Sequence, residues 1–197
     1  MFTLNCKGRL VLIEKPLVMG ILNVNEDSFY AGSRLRNTDD LLKKASQMMA
    51  EGVDILDIGG QSTRPGSNRI SAEEELSRVL PAIELISKEF NDVIISIDTY
   101  YAEVTREAVN EGASIVNDIS AGEMDTNMLE TVAALNVPYI CMHMKGVPET
   151  MQQQAVYNDM TKEVLDFFIK KINQCRLAGI TDVIIDPGFG FAKTIPQ

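Results

Sequence analysis

The sequence has few of the residues from which several common functional sites are built. It contains one histidine, His143, no tryptophan and three cysteines among 197 residues. With a single histidine, neither a multi-histidine metal site nor a histidine-based triad is predicted, and we expect His143 to make a polar contact at a strand end. The cysteines form no C-x-x-C pair, which favours a reduced, cytoplasmic setting over a zinc or redox centre; they are Cys6, Cys141 and Cys175.

Basic residues and long apolar runs are also scarce. Eighteen Lys and Arg face 28 Asp and Glu, and this net charge of −10 provides no basic field for a nucleic acid. No apolar run approaches the roughly 18 residues that cross a bilayer. Glu14, Lys15 and Pro16 interrupt the first apolar stretch, so no signal peptide is predicted. We therefore expect a globular protein that binds neither nucleic acid nor membrane.

Six short apolar runs alternate with amphipathic stretches. They cover residues 18–24, 53–60, 93–99, 114–119, 137–144 and 182–188. Such runs predict a parallel sheet covered by helices. Repeated units without a glycine-rich dinucleotide turn favour an α/β fold of the (β/α)8 TIM barrel type. A closed barrel needs eight strands and about 250 residues. We therefore expect residues 1–197 to be a single barrel domain with its first six βα units, incomplete at the C-terminus.

Local signals predict where individual helices begin and end. Thr38–Asp40 are predicted in the first turn of the helix after the first run. Ser71 and Glu74 match a capping box, and Pro81 is expected to kink that helix or to mark a second start. Three glycines are expected to be left-handed caps; they are Gly52, Gly112 and Gly179.

A polar residue lies near the end of each predicted strand. These residues are Asn23, Asp57, Asp98, Asn117, His143 and Asp186. In a parallel barrel all of them emerge at the carboxyl face, where the active sites of this architecture lie. Carboxylate and amide oxygens on Asp98, Asn117 and Asp186 suit a flat heterocycle with adjacent N–H groups. The pattern predicts a planar ligand with a donor edge.

Six segments carry distinctive motifs. They are MGILNVNEDSF (19–29), DIGGQSTRPG (57–66), SIDT (96–99), NDI (117–119), MHMKGVPETMQ (142–152) and DPGFGFAKT (186–194). In this order they resemble the dihydropteroate synthases of folate biosynthesis, from about residue 8 to residue 197. The resemblance implies condensation of 6-hydroxymethyl-7,8-dihydropterin diphosphate with p-aminobenzoate, giving dihydropteroate and diphosphate. It also implies a sulfonamide target that is a homodimer at full length.

The resemblance assigns roles to particular residues. Asp98, Asn117 and Asp186 match the pterin-binding side chains, and Asn23 matches the ligand of a Mg²⁺ ion beside the diphosphate. Several further residues match the walls and loops around both substrates: Thr63, Arg64 and Pro65 in the second loop, Phe29 in the first loop, and Phe191. From its own chemistry Met142 is a candidate for the pterin face, since a thioether at a strand end suits a flat ring.

The sequence departs from the family pattern in two places. Asn25 and Glu26 replace the usual Thr-Pro of the first loop, which adds a negative charge near the expected diphosphate. No counterpart of the family's seventh and eighth strands, with their S-R-K and R-x-H motifs, is present. Two alternatives to the synthase stay open, namely a non-catalytic pterin-binding polypeptide and a folate-dependent methyltransferase domain.

Overall fold

An N-terminal hairpin precedes the predicted strands. The computed structural model describes residues 1–24, 34–61, 69–148 and 150–194. In it, β1 (Phe2–Cys6) and β2 (Arg9–Ile13) pair antiparallel around a turn at Lys7 and Gly8, where φ is positive. No strand was predicted before residue 18, so the hairpin is an element that the sequence pattern did not predict.

The six predicted strands form one parallel sheet, which confirms the strand prediction. They are β3 (Met19–Asn23), β4 (Ile55–Gly59), β5 (Ile94–Asp98), β6 (Ile115–Asp118), β7 (Tyr139–Met142) and β8 (Val183–Asp186). Neighbouring strands pair in chain order, without a crossover to a distant position. This order is that of a barrel wall and differs from a doubly wound sheet, whose strand order reverses.

A helix follows each strand from β3 to β7. The helices are α1 (Arg34–Ala50), α2 (Ala72–Glu89), α3 (Ala102–Glu111), α4 (Met128–Leu135) and α5 (Met160–Ala178), with a short 3₁₀ helix at Met151–Gln154. Among the residues that the structure describes, none of these helices is both long and apolar enough to span a membrane. The βα alternation confirms the α/β class.

The predicted helix ends are mostly correct. The placement of Thr38–Asp40 in a first turn is wrong, because α1 begins at Arg34. The Ser71 Oγ accepts the Glu74 N–H at 3.1 Å, but the Glu74 carboxylate pairs with Arg78 at 2.6 Å and does not return to the cap. Pro81 lies inside α2 and starts no second helix. The three predicted cap glycines have φ of +101° at position 52, +141° at 112 and +99° at 179.

Two apolar layers hold the barrel wall in place. Outside it, strand residues such as Leu56, Ile58 and Ile97 are fully buried against the helices. Inside it, the lower end is filled by β1, β2 and the starts of the strands; the buried members are Leu4, Cys6, Ile13, Ile55, Ile94, Ile115 and Ile140. The hairpin therefore covers the amino end of the barrel and leaves the carboxyl end for polar groups. All three cysteines lie in described parts of the chain, and each is buried and free.

Candidate functional site

The strand register brings three of the predicted site residues to one level. Asn23 on β3 lies opposite Gly59 on β4, Gly59 lies opposite Asp98 on β5, and Asp98 lies opposite Asn117 on β6. Paired residues of neighbouring parallel strands point to the same face of the sheet. Asp98 and Asn117 are partly exposed and Asn23 is exposed. A ligand at the carboxyl end of the barrel can therefore reach all three.

Asp186 lies on the same face of the sheet, two residues beyond the position on β8 that is level with Asn117. Asn117 lies opposite Ile140, Ile140 opposite Ile184, and Met142 opposite Asp186. The Asp186 Oδ1 accepts the Gly188 N–H at 2.8 Å, and its backbone carbonyl accepts the His143 N–H at 2.9 Å. Asp186 therefore lies on the same face of the sheet as Asp98 and Asn117, two residues nearer the carboxyl end of the strands.

Asp57 also belongs to the site. It was predicted among the polar residues near the strand ends, but no role in ligand binding was predicted for it. It lies two residues before Gly59 on the same strand, and its Oδ2 accepts the Asn117 Nδ2–H at 3.0 Å. Its Oδ1 is buried without a hydrogen-bond partner among the described residues. The strand period of two was the available signal, because it puts residues 57 and 59 on one face.

Gly59 leaves room between the polar side chains. A Cβ built there would lie 3.4 Å from the Asp98 Oδ2 and 3.7 Å from the Asn23 Oδ1. Because glycine has no side chain, the space above Asp57 stays open between β3 and β5. The site is thus a gap walled by carboxyl and amide groups.

The electrostatics of the site favour a ligand that donates hydrogen bonds. Burial, followed by the negative charges of Asp57, Glu75 and Asp118, raises the pKa of Asp98 well above its ordinary value. Burial also raises the pKa of Asp57, and the nearby side chains of Ser96 and Asn117 offset part of that rise. Crowded carboxyl groups of this kind are stabilised by N–H donors.

The apolar side of the site comes from the ends of β5 and β7. Met142 is 3% exposed and packs in a cluster to which the partly buried Phe191 also belongs; its other buried members are Tyr100, Ile119, Met144, Met151 and Ala192. Met142 and Phe191 therefore belong to one apolar wall, and Met142 is paired with Asp186 across the sheet.

Four predicted substrate-binding residues lie outside the described residues. They are Phe29, Thr63, Arg64 and Pro65. The positions that flank 62–68 are described. The Ile70 N–H donates to the Gln61 Oε1 at 3.3 Å, and the Tyr101 hydroxyl donates to the Ile70 carbonyl at 2.6 Å. Since Tyr101 comes three residues after Asp98, both ends of the segment are held near the site.

His143 and Lys193 form a buried pair at the rim. The Lys193 Nζ lies 2.8 Å from the His143 Nδ1, and the two side chains are 9% and 3% exposed. The expectation of a polar contact for His143 at a strand end is met. Lys193 lies in the last of the six motifs, but no role was predicted for it.

The described residues offer a metal ion few ligands of their own. They contain no group of three or more His, Cys, Asp or Glu side chains that could hold a metal. Mg²⁺ usually keeps several waters and binds through one or two protein oxygens plus substrate phosphates. The exposed carboxamide oxygen of Asn23 is a hard ligand of this kind, at the edge of the site. Asn23 therefore fits as a ligand of a shared ion.

Comparison with known proteins identifies the family to which the barrel belongs. The family described as "Pterin binding enzyme" matches residues 19–197. The dihydropteroate synthase of Escherichia coli K12 is 44% identical over 191 residues, which cover 96% of this chain and 67% of that protein. The mitochondrial folate synthesis bifunctional protein of Pisum sativum is 43% identical over 192 residues, 94% of this chain and 37% of that protein. The chain thus spans about a third of this bifunctional relative.

Solved structures of dihydropteroate synthases share the fold. The Yersinia pestis enzyme, in a sulfonamide drug complex, has a TM-score of 0.89 and 40% identity, over 99% of this chain and 71% of that chain. The Xanthomonas albilineans enzyme with 4-aminobenzoic acid has a TM-score of 0.85 and 40% identity, over 98% and 68%. The six strands described above thus correspond to part of a barrel in these proteins.

Proposed function

Because the chain belongs to the pterin binding enzyme family, we propose that it carries the pterin site of a dihydropteroate synthase. The reaction joins 6-hydroxymethyl-7,8-dihydropterin diphosphate to p-aminobenzoate. The observation that carries the proposal is the strand register, which pairs Asp98 with Asn117 on adjacent strands and puts Asp186 on the same face two residues nearer the carboxyl end. These groups can accept several N–H bonds from one edge of a flat ring.

The Asp57 contact supports a defined orientation for Asn117. One amide hydrogen of Asn117 is committed to Asp57 at 3.0 Å. The Oδ1 and the second amide hydrogen are then left for a ligand, which gives an acceptor beside a donor. A pterin ring presents donors and acceptors side by side along its edge. Met142 and Phe191 would contact the apolar face of the same ring.

The proposed reaction breaks a C–O bond and forms a C–N bond. Diphosphate leaves from the methylene carbon of the pterin, the amine nitrogen of p-aminobenzoate attacks that carbon, and the amine loses a proton to solvent. The ring can delocalise the positive charge that develops at the methylene, so the protein has to orient both reactants and exclude water. Asn23 would hold a Mg²⁺ ion, which would offset the charge of the departing diphosphate. Thr63 and Arg64 are proposed to contact the same anion, and Pro65 and Phe29 to enclose p-aminobenzoate.

The ligands in structures of related proteins support the proposed substrates. One Xanthomonas albilineans structure contains 4-aminobenzoic acid and another contains 7,8-dihydropteroate. The Yersinia pestis complex holds a sulfonamide drug, which supports the proposal that sulfonamides compete at this site. Three free, buried cysteines support a cytoplasmic location. A homodimer for the full-length protein is carried over from the family resemblance.

Changing Asp98 to Asn tests the pterin site. We expect Asp98→Asn to lower the affinity for 6-hydroxymethylpterin at least about tenfold, because one charge-assisted hydrogen bond contributes roughly 1.5 to 3 kcal/mol. Calorimetry measures the affinity, and circular dichroism verifies the fold. Asp92→Asn is the matched control, because Asp92 is exposed just before the other end of β5.

Three outcomes separate the hypotheses. Diphosphate release from both substrates, with lost affinity in Asp98→Asn, supports the synthase. Pterin binding without turnover supports the non-catalytic alternative. Equal affinity in Asp98→Asn and Asp92→Asn would refute the pterin site.

A further inference from the structure

Lys193 is a buried cation to which the proposed reaction gives no role. Its ammonium group lies within hydrogen-bond distance of four acceptors. These are the His143 Nδ1 at 2.8 Å and the backbone carbonyls of His143, Gly188 and Phe191 at 3.2, 3.2 and 3.1 Å. An ammonium has three hydrogens, so every one of them can be satisfied here without water.

The acceptors belong to two segments that form the rim of the site. Gly188 and Phe191 lie in the turn after β8, and His143 directly follows β7. The same two segments are joined by the His143 N–H, which donates to the Asp186 carbonyl at 2.9 Å. Lys193 therefore bridges the end of β7 to the turn that begins directly after Asp186 and contains Phe191.

The contact has a defined protonation pattern. Burial lowers the pKa of Lys193 to about 8, and the charge of Asp186 opposes part of that change. Burial, then the charges of Lys193 and Lys145, lowers the pKa of His143 to about 4, while Glu123 acts in the opposite direction. At pH 7 a charged Lys193 thus donates to a neutral imidazole whose Nδ1 is an acceptor.

We propose that Lys193 is a positioning residue, which holds the turn after β8 against the end of β7 and so fixes Asp186 and Phe191 for the pterin. The identity of the ligand rests on the proposed function, whereas the contact itself rests on the geometry. A positioning role predicts that loss of Lys193 weakens pterin binding although Lys193 touches no ligand.

The imidazole of His143 provides a direct readout, because it is the single histidine of the chain. In ¹⁵N NMR spectra we expect the wild type to show an unprotonated Nδ1 and no titration between pH 5 and pH 8. In Lys193→Met we expect the midpoint of the imidazole titration to rise from about 4 by about one pH unit, because one of the charges that lower it is removed while burial remains. A Lys193→Gln variant, which keeps N–H donors but not the charge, should show the same rise and serves if the methionine variant does not fold.

Binding of 6-hydroxymethylpterin then tests the consequence. We expect Lys193→Met to weaken binding at least about tenfold, since fixed geometry is lost, and Lys193→Gln to weaken it less. Lys44→Met, at an exposed lysine of α1, is the control and should change neither readout. Unchanged imidazole signals in both Lys193 variants would overturn the contact, and an NMR change without loss of affinity would overturn the positioning role. If the wild type binds no pterin, the proposed function fails, and the NMR result still decides whether the contact exists.

Discussion

Single buried carboxyl groups determine much of the character of this site. Glu75, in the first turn of α2, is 1% exposed, and its Oε2 accepts the Thr99 hydroxyl at 3.0 Å. Its Oε1 has no hydrogen-bond partner within the described residues. Burial raises the pKa of Glu75 from 4.5 to about 7, with Thr99, Arg78 and Arg69 opposing part of the rise. Glu75 therefore exchanges a proton near neutral pH.

This pKa has a consequence for stability. Between pH 4.5 and about 7 the folded chain keeps the Glu75 proton that the unfolded chain has lost, so the free energy of unfolding falls as pH rises. Glu75→Gln removes this titration. From pH 5 to pH 8 we expect the stability of the variant relative to wild type to improve by about 2 kcal/mol in urea unfolding. Glu73→Gln, an exposed change in the same turn, should give no such trend, and parallel profiles for Glu75→Gln and wild type would refute the assignment.

At the residue scale, the sequence predicted the polar groups at strand ends but not the buried charged groups in helices and loops. Asp98 and Asn117 were predicted as ligand residues because each ends an apolar run. Glu75 and Lys193 were not, because a charged residue in a helix or a loop is usually exposed. Their burial depends on which segments the fold brings together, and spacing along the chain does not contain that information.

At the scale of elements, the turn after β8 depends on one glycine more than on its neighbour. Gly188 and Gly190 both have positive φ, +67° and +87°. A Cβ at Gly188 would collide with the His143 carbonyl oxygen, whereas a Cβ at Gly190 would meet nothing within 4 Å. Alanine would cost backbone free energy at both positions, because φ is positive at each. Only alanine at Gly188 would also collide with the carbonyl oxygen.

Paired alanine substitutions separate these two costs. Gly190→Ala is expected to cost about 1 kcal/mol of stability, for the left-handed backbone alone. Gly188→Ala should cost at least about 2 kcal/mol more, because the carbonyl at the end of β7 must move. Urea unfolding measures both, and pterin affinity should fall only in Gly188→Ala. Equal losses in the two variants would show that the collision is relieved at no cost.

The elements themselves were predictable where apolar runs are long. Each of the six barrel strands lies within a near-continuous apolar run, which is the pattern typical of strands buried on both faces. The hairpin was missed because β1 and β2 pair only with each other and expose one side, with Leu10 at 72% and Leu12 at 50%. The start of α1 was placed late because its first turn contains no acidic residue.

At the scale of the whole molecule, the charge opposes the proposed anionic substrate. The net charge is −10, so the overall field repels a diphosphate. Local cations must overcome this repulsion, and we propose a Mg²⁺ ion on Asn23 together with Arg64. The diphosphate and the pterin ring should consequently differ in their dependence on metal.

Removal of magnesium tests this difference. With EDTA in place of Mg²⁺, we expect affinity for the pterin diphosphate to fall at least about tenfold and affinity for 6-hydroxymethylpterin to stay the same. Asn23→Ala should reduce the magnesium effect, and Asn91→Ala, at an exposed position, should not. Calorimetry with both ligands gives the comparison, and a diphosphate affinity that is independent of Mg²⁺ would refute the proposed ion.

The seclusion of every native thiol has a practical consequence for spectroscopy. Cys6, at the end of β1, is buried against the starts of the barrel strands, and Cys141 and Cys175 are buried between the sheet and α5, so aqueous maleimides have no sulfur to attack in the folded chain. A cysteine introduced on the outside would be the sole reactive group. Fluorophores or spin labels could then follow approach of the two substrates in an otherwise unaltered polypeptide.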